Sequence, residues 1–214
     1  MKNIQEYITE RLNIGGNNIE SNKYRNDYHP QTKNELIKII KKLIKEHRSD
    51  DDLDLNSIDT SQIKDMSHLF ETIYTNKHIK NIDISHWDVS NVQDMAFMFF
   101  NCKYFNCDLS RWDVLKVKNM THMFYNCNNF NSDLSQWDVS KVQDMRHMFA
   151  YCDKFNSDIS QWDVSRCKDM AFMFFMCEKF NSDLSQWNIA SVENISSMFE
   201  GCSSLKTYPK WYRK

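Results

Sequence analysis

A step of 25 residues constrains this chain more than any other feature. Trp87, Trp112, Trp137, Trp162 and Trp187 follow it, and Cys102, Cys127, Cys152, Cys177 and Cys202 follow it too. So do the Met-Phe pairs from Met98-Phe99 to Met198-Phe199. A period held this strictly predicts a stack of repeats, each unit burying a face that it cannot bury alone. A degenerate earlier copy, DLNSIDTSQIKDMSHLF, sets Ile58 in the Trp row and Leu69-Phe70 in the Met-Phe row. The last copy ends early in SLKTYPKWYRK. End units differ because each has one unstacked face. The register gives six units over 54–204, at roughly 54–78, 79–104, 105–129, 130–154, 155–179 and 180–204, with a C-terminal cap over 205–214.

Inside one unit the hydrophobic period changes. Met145, Met148, Phe149 and Cys152 fall at i, i+3, i+4 and i+7, one face of a helix of about two turns. Asp144 precedes them where an N-cap would sit, and Asp94, Asn119, Asp169 and Asn194 share its row. Before it lies DLSQWDVS, whose Leu134, Trp137 and Val139 can point inward from a short extended segment, with Asp138-Val139-Ser140 suited to a turn. The expected unit is short strand, turn, short helix. Strands pack about 4.8 Å apart and helices about 8–10 Å apart, so such a stack should curve with its helices on the convex side.

The first 53 residues differ. Ile4, Ile8 and Leu12 suggest a short helix closed by Gly15-Gly16, followed by a polar linker to about His29. Thr32-Lys33-Asn34-Glu35 is a capping-box pattern, and Leu36, Ile40, Leu43 and Ile44 form an apolar stripe behind it. The expectation is a helical N-terminal cap over 1–53, covering the open end of the stack. The alternative use of a basic amphipathic helix is to lie on a membrane.

Charge and composition exclude several classes. A net charge of −2 gives no basic field for nucleic acid. No run of about 18 apolar residues exists, so no membrane span is expected. MKNIQEYITERLNIGG has charges throughout and no apolar core of a secretory signal. With seven cysteines and no such signal, free thiols in a reducing cytoplasm are expected.

FNSDLSQWDVSKVQDMRHMF, with its W-D-V-S and D-M-x-x-M-F words, resembles the BspA-like leucine-rich-repeat family, also described as the DUF285 or mycoplasma-lipoprotein type repeat. HIKNIDIS, with Ile79, Ile82 and Ile84, is similar to the L-x-x-L-x-L strand of leucine-rich repeats. The likeness covers about Asp54 to Cys202. YHPQTKNELIKIIKKLI resembles a leader found before such repeats in some bacterial and phage-encoded members. The resemblance implies a curved α/β solenoid of leucine-rich-repeat type, no catalytic residues and a binding role. Many such relatives are surface proteins carrying a signal or lipobox, and neither is seen here.

Chemistry-bearing residues recur by repeat and form no unique constellation. No Ser/His/Asp order, Gly-rich phosphate loop or H-E-x-x-H word appears, so no enzyme and no cofactor are expected. Five ladder cysteines beside Met and Phe read as small core residues. Cys107 and Cys167 break the pattern and could be exposed. Asp83, Asp108, Asp133, Asp158 and Asp183 form one acidic row, and Asp88, Asp113, Asp138 and Asp163 another. They read as hydrogen-bonded turn residues, the alternative being a cation such as calcium. His68, His122 and His147 share an outward row with Phe97, Phe172 and Ser197.

Function should sit where the copies disagree. Phe97, Phe100 and Tyr104 fall opposite the core face of one unit, and Phe172, Phe175 and Met176 opposite that of another. Tyr125, Arg146, His147 and Tyr151 occupy outer positions between them. Large apolar residues on an outer face suggest a contact surface. The competing reading is that these rings pack sideways against neighbouring units. Arg111, in the row of His86, Gln136, Gln161 and Gln186, marks an alternative, concave surface. The expected function is a monomeric, non-enzymatic solenoid scaffold binding a protein partner. Two alternatives stand beside it: a phage or mobile-element inhibitor of a host defence nuclease complex of CRISPR type, and a bacterial surface adhesin.

Overall fold

The computed structural model describes residues 27–47, 52–71 and 82–212. The expected helix at Ile4, Ile8 and Leu12, the Gly15-Gly16 stop and Ile79 lie outside the described residues. Helix α1 spans Lys33–Glu46. Thr32 caps it by accepting a hydrogen bond from the Glu35 amide, while the Glu35 carboxylate accepts from the Gln31 amide at 2.7 Å. The second bond of the capping pattern thus lands one residue before the cap. Leu36 and Ile40 are fully buried in the same hydrophobic cluster as the repeats. Lys33 Nζ reaches the Asp65 carboxylate at 3.2 Å and Ser67 Oγ at 2.7 Å, tying α1 to the first repeat. Strands β1, Leu53–Asp54, and β2, Ile82–Asp83, pair in parallel, with Leu53 opposite Ile82.

The repeat units stack through their backbones. Parallel bridges join Asp65 to Asp94, then Asn119, Asp144, Asp169 and Asn194. Beside this row, alternate amides donate to the next unit: Met95 to Asn119, Phe97 to Thr121, Phe99 to Met123 and Asn101 to Tyr125. The units beginning at Met120, Met145 and Met170 repeat these four bonds. The intervening amides close local turns, Met98 to Met95, Phe100 to Phe97 and Cys102 to Phe99. Backbone donors from Met98 to Cys102 are thus all satisfied, three within the unit and two across it.

This pattern replaces the expected short helix. Residues 145–152 and their equivalents form consecutive turns, and α1 is the single α-helix of the described residues. The reason is the backbone at two rows. Phe97, His122, His147 and Phe172 have φ of 53 to 57°, and Asn101, Asn126, Tyr151 and Met176 have φ of 58 to 62°. A residue with positive φ at the third position closes a type II turn and breaks a helix. The supposed N-caps do other work. Asp94, Asp144 and Asp169 accept the amide two residues on, at 2.9, 3.0 and 2.9 Å, as Asx turns. Without helices, the spacing mismatch from which convex-side curvature was expected does not arise.

The core is a set of ladders. Trp112, Trp137, Trp162 and Trp187 stack at 6.4 to 6.5 Å. Each indole N–H donates to a carbonyl of the preceding unit, as Trp137 Nε1 does to Leu109 at 3.0 Å. Trp211 extends the row, stacking on Trp187 at 6.5 Å and donating to Leu184, so the C-terminal segment continues the ladder with a step of 24 residues. Phe124 packs on Phe130 at 4.0 Å and Phe149 on Phe155 at 3.9 Å. Cys127, Cys152, Cys177 and Cys202 are buried and direct their thiols at carbonyls of the unit before, at 2.8 to 3.0 Å. All seven cysteines are free and buried. Cys107 and Cys167, whose break from the pattern left exposure open, are 4 % and 0 % exposed. Cys107 stands in the row of Ser132 and Ser157, and accepts the Ile84 amide as they accept those of Leu109 and Leu134. Cys167 replaces the valine of the Val92, Val117 and Val142 row.

Candidate binding face

The turn segment that replaces the helix sets its outer side chains in straight rows. A left-handed residue at Phe97 turns its side chain out of the core while Met95, Met98 and Phe99 turn in. Repeating that geometry stacks the rings of one row. His68, Phe97, His122, His147 and Phe172 form a continuous column, with successive centroids 4.7, 4.5, 4.4 and 4.7 Å apart and planes within 11° of parallel. A second column runs beside it. Phe100 stacks on Tyr125 at 4.8 Å, and Tyr125 and Phe175 each meet Tyr151 edge-on at 5.4 Å. In this row the fourth unit has the small, fully buried Ala150, and the Tyr151 ring from the next position fills the gap. The columns are close: Phe97 and Phe100 lie 5.5 Å apart, Phe172 and Phe175 5.6 Å.

The named outer residues divide accordingly. Phe97, Phe100, Tyr125, His147, Tyr151, Phe172 and Phe175 come together in the two columns, all partly exposed. Met176 is 41 % exposed at the end of the Tyr151 row. Tyr104 is 62 % exposed and has no ring partner among the described residues. Arg146 is held by its own turn, its guanidinium 2.9 Å from Asp144 and 3.7 Å from Asp169. The sideways-packing reading therefore describes real contacts, yet the column edges remain at the surface. His68 and His122, read in the sequence as outward-facing but not as part of the contact surface, are further members. Their place in the Phe97 and Phe172 row was the available signal.

Electrostatics disfavour charge on the two central histidines of the column. Burial, then the neighbouring His147 and Arg146, pushes His122 down to about 4. Burial and Arg146 lower His147 as well. The buried Nδ1 atoms of both histidines have no hydrogen-bond partner in this structure. Tyr125 is pushed up by burial and by Tyr151.

The acidic rows are engaged in turns. Asp108, Asp133, Asp158 and Asp183 each accept the amide of the serine two residues on, at 2.9 to 3.0 Å. Asp138 and Asp163 do the same for Ser140 and Ser165. Both acidic rows are thus turn residues, and those bonds hold Asp158, Asp163 and Asp183 below the usual carboxylate range. Among the described residues no three His, Cys, Asp or Glu side chains gather to hold a metal ion. An asparagine ladder stands beside them and went unread in the sequence. Asn106, Asn131 and Asn156 each accept, through Oδ1, the backbone amide one unit on, at 2.8 Å.

Rows bonded unit to unit, with chemistry repeated rather than concentrated, define a protein of the repeat class. The sequence matches the family described as Mycoplasma protein of unknown function, DUF285, over residues 39–146 and again over 127–213. The chain belongs to that family. No curated protein and no solved structure matches it. Among the described residues no helix is long and apolar enough to cross a membrane.

Proposed function

We propose that this protein is a non-enzymatic solenoid scaffold that binds a protein partner through the two aromatic columns. One observation carries the reading. Phenylalanine, histidine and tyrosine occupy rows with φ of 53 to 61°, where glycine or asparagine would sit without strain. Such a backbone costs about 1–3 kcal/mol for each residue. Core packing requires the turn but not a ring at these positions, because the core is filled by the other rows and Asn126 and Ser197 keep the same backbone without one. Ring stacking offsets part of the cost, at about 0.5–1.5 kcal/mol a pair. What remains is a rigid, half-exposed aromatic surface, the composition of an interface anchor.

The test is capture of a partner from the cells that encode the chain, using wild type and the Phe97→Ser/Phe100→Ser/Phe172→Ser/Phe175→Ser variant. The expected result is a protein retained by wild type and lost by a variant whose circular dichroism is unchanged. A folded variant that still retains the partner refutes the assignment of the face. A variant that unfolds makes the rings part of the core and refutes it too.

A further inference from the structure

The first ring column stops one unit short of its backbone. His68, Phe97, His122, His147, Phe172 and Ser197 share one row, and Ser197 keeps the same left-handed backbone, φ 49°, without a ring. The Phe172 amide still donates to Ser196 in the last unit at 2.8 Å, so the stacking register is intact at this point. The four ring pairs above it set a spacing of 4.4 to 4.7 Å. At Ser197 that spacing leaves the far face of Phe172 without the ring that its predecessors have.

The neighbouring rows change together there. Phe175 is followed by Glu200, and Met176 by Gly201. A β-carbon added at Gly201 would lie 2.4 Å from Met176 Sδ and 3.0 Å from Met176 Cα, so Met176 lies directly over the glycine. The Glu200 amide bonds to the Ser197 carbonyl at 3.2 Å, which places the two residues in the same adjacent-row relation as Phe172 and Phe175. Glu200 is exposed, and its carboxylate has no ion-pair partner among the described residues. The result is an aromatic step with a carboxylate at its edge.

Building on the proposed protein-binding role, we propose that this step is the recognition point for an arginine side chain of the partner. A planar guanidinium fits where a sixth ring would stack, lies on the Phe172 face and meets the Glu200 carboxylate. A lysine ammonium has the charge without the plane, and a neutral aromatic ring leaves Glu200 unanswered.

The test is titration of N-acetyl-arginine amide into the isotopically labelled full chain, followed by amide chemical shifts. Saturable shifts are expected at Phe172, Ser197 and Glu200. N-acetyl-citrulline amide, planar and neutral, and N-acetyl-lysine amide should each bind at least about threefold more weakly, as should arginine to Glu200→Gln. Ser197→Phe, which completes the column, should abolish the shifts while the rest of the spectrum stays in place. No saturable shift in wild type overturns the proposal, as does equal binding of the lysine compound or persistence of the shifts in Ser197→Phe. Should these fail while the four-serine variant still loses its partner, the arginine step alone is wrong and the aromatic face stands.

Discussion

The sharpest prediction concerns acid. His122 is sandwiched between Phe97 at 4.5 Å and His147 at 4.4 Å, and burial holds it down at about 4 against an ordinary 6.5. The unfolded chain therefore binds a proton at His122 that the folded chain refuses between those two values. Stability is complete above pH 6.5, falls as the pH drops, and levels off once His122 titrates near 4. At about 1.36 kcal/mol for each pH unit the full shift corresponds to about 3 kcal/mol, and solvent screening of a half-buried ring brings the loss to about 1–2 kcal/mol. His147, also lowered, adds in the same direction. The bonded aspartates, lowered from 3.8, lose their contribution only below that window. The perturbation is His122→Phe/His147→Phe, which keeps rings in a row that already holds Phe97 and Phe172. Urea unfolding at half-unit steps from pH 7.5 to 4 should show wild type losing about 1–2 kcal/mol more than the variant. Parallel loss in both proteins refutes the reasoning, as does an NMR titration placing His122 near 6.5.

Other predictions follow from the ladders. Trp137→Phe removes the donor to the buried Leu109 carbonyl and part of a ring that is 3 % exposed. It should cost about 2–4 kcal/mol in urea unfolding, with an unchanged denaturant slope. Asn131→Ala leaves the Asn156 amide without its acceptor and should cost about 1 kcal/mol, whereas Asn131→Asp restores the acceptor and most of the stability. All seven thiols should resist a thiol-specific reagent in the native state and react in urea, because burial pushes Cys107, Cys167 and Cys202 up to about 12 and the other four higher still. Rapid labelling of even one native thiol contradicts the packing described.

The register of the stack was legible in the sequence, and so was its core. Leu134, Trp137, Val139, Val142, Met145, Met148, Phe149 and Cys152 are at most 3 % exposed, as their repetition demands. The turn aspartates were legible for the same reason. The local backbone was not. Apolar residues at i, i+3, i+4 and i+7 satisfy a helix, and they equally satisfy two left-handed turns that bring Met145, Met148, Phe149 and Cys152 to one side. Left-handed positions usually announce themselves with glycine. Here they carry His147 and Tyr151, and the chain has only three glycines. The outer rows were correctly read as outward, though for a helical reason. Sideways packing of the rings was one of the two readings the sequence offered, but the face-to-face column was not legible, because it depends on a spacing near 4.5 Å rather than the helical spacing assumed.

Site-specific photo-crosslinking locates the binding surface on the molecule. A benzoylphenylalanine at position 100 or 175 should crosslink the captured partner, and the same residue at position 136 or 161, on the glutamine row, should not. Adducts confined to positions 136 and 161 would move the binding surface to the glutamine row and overturn the assignment.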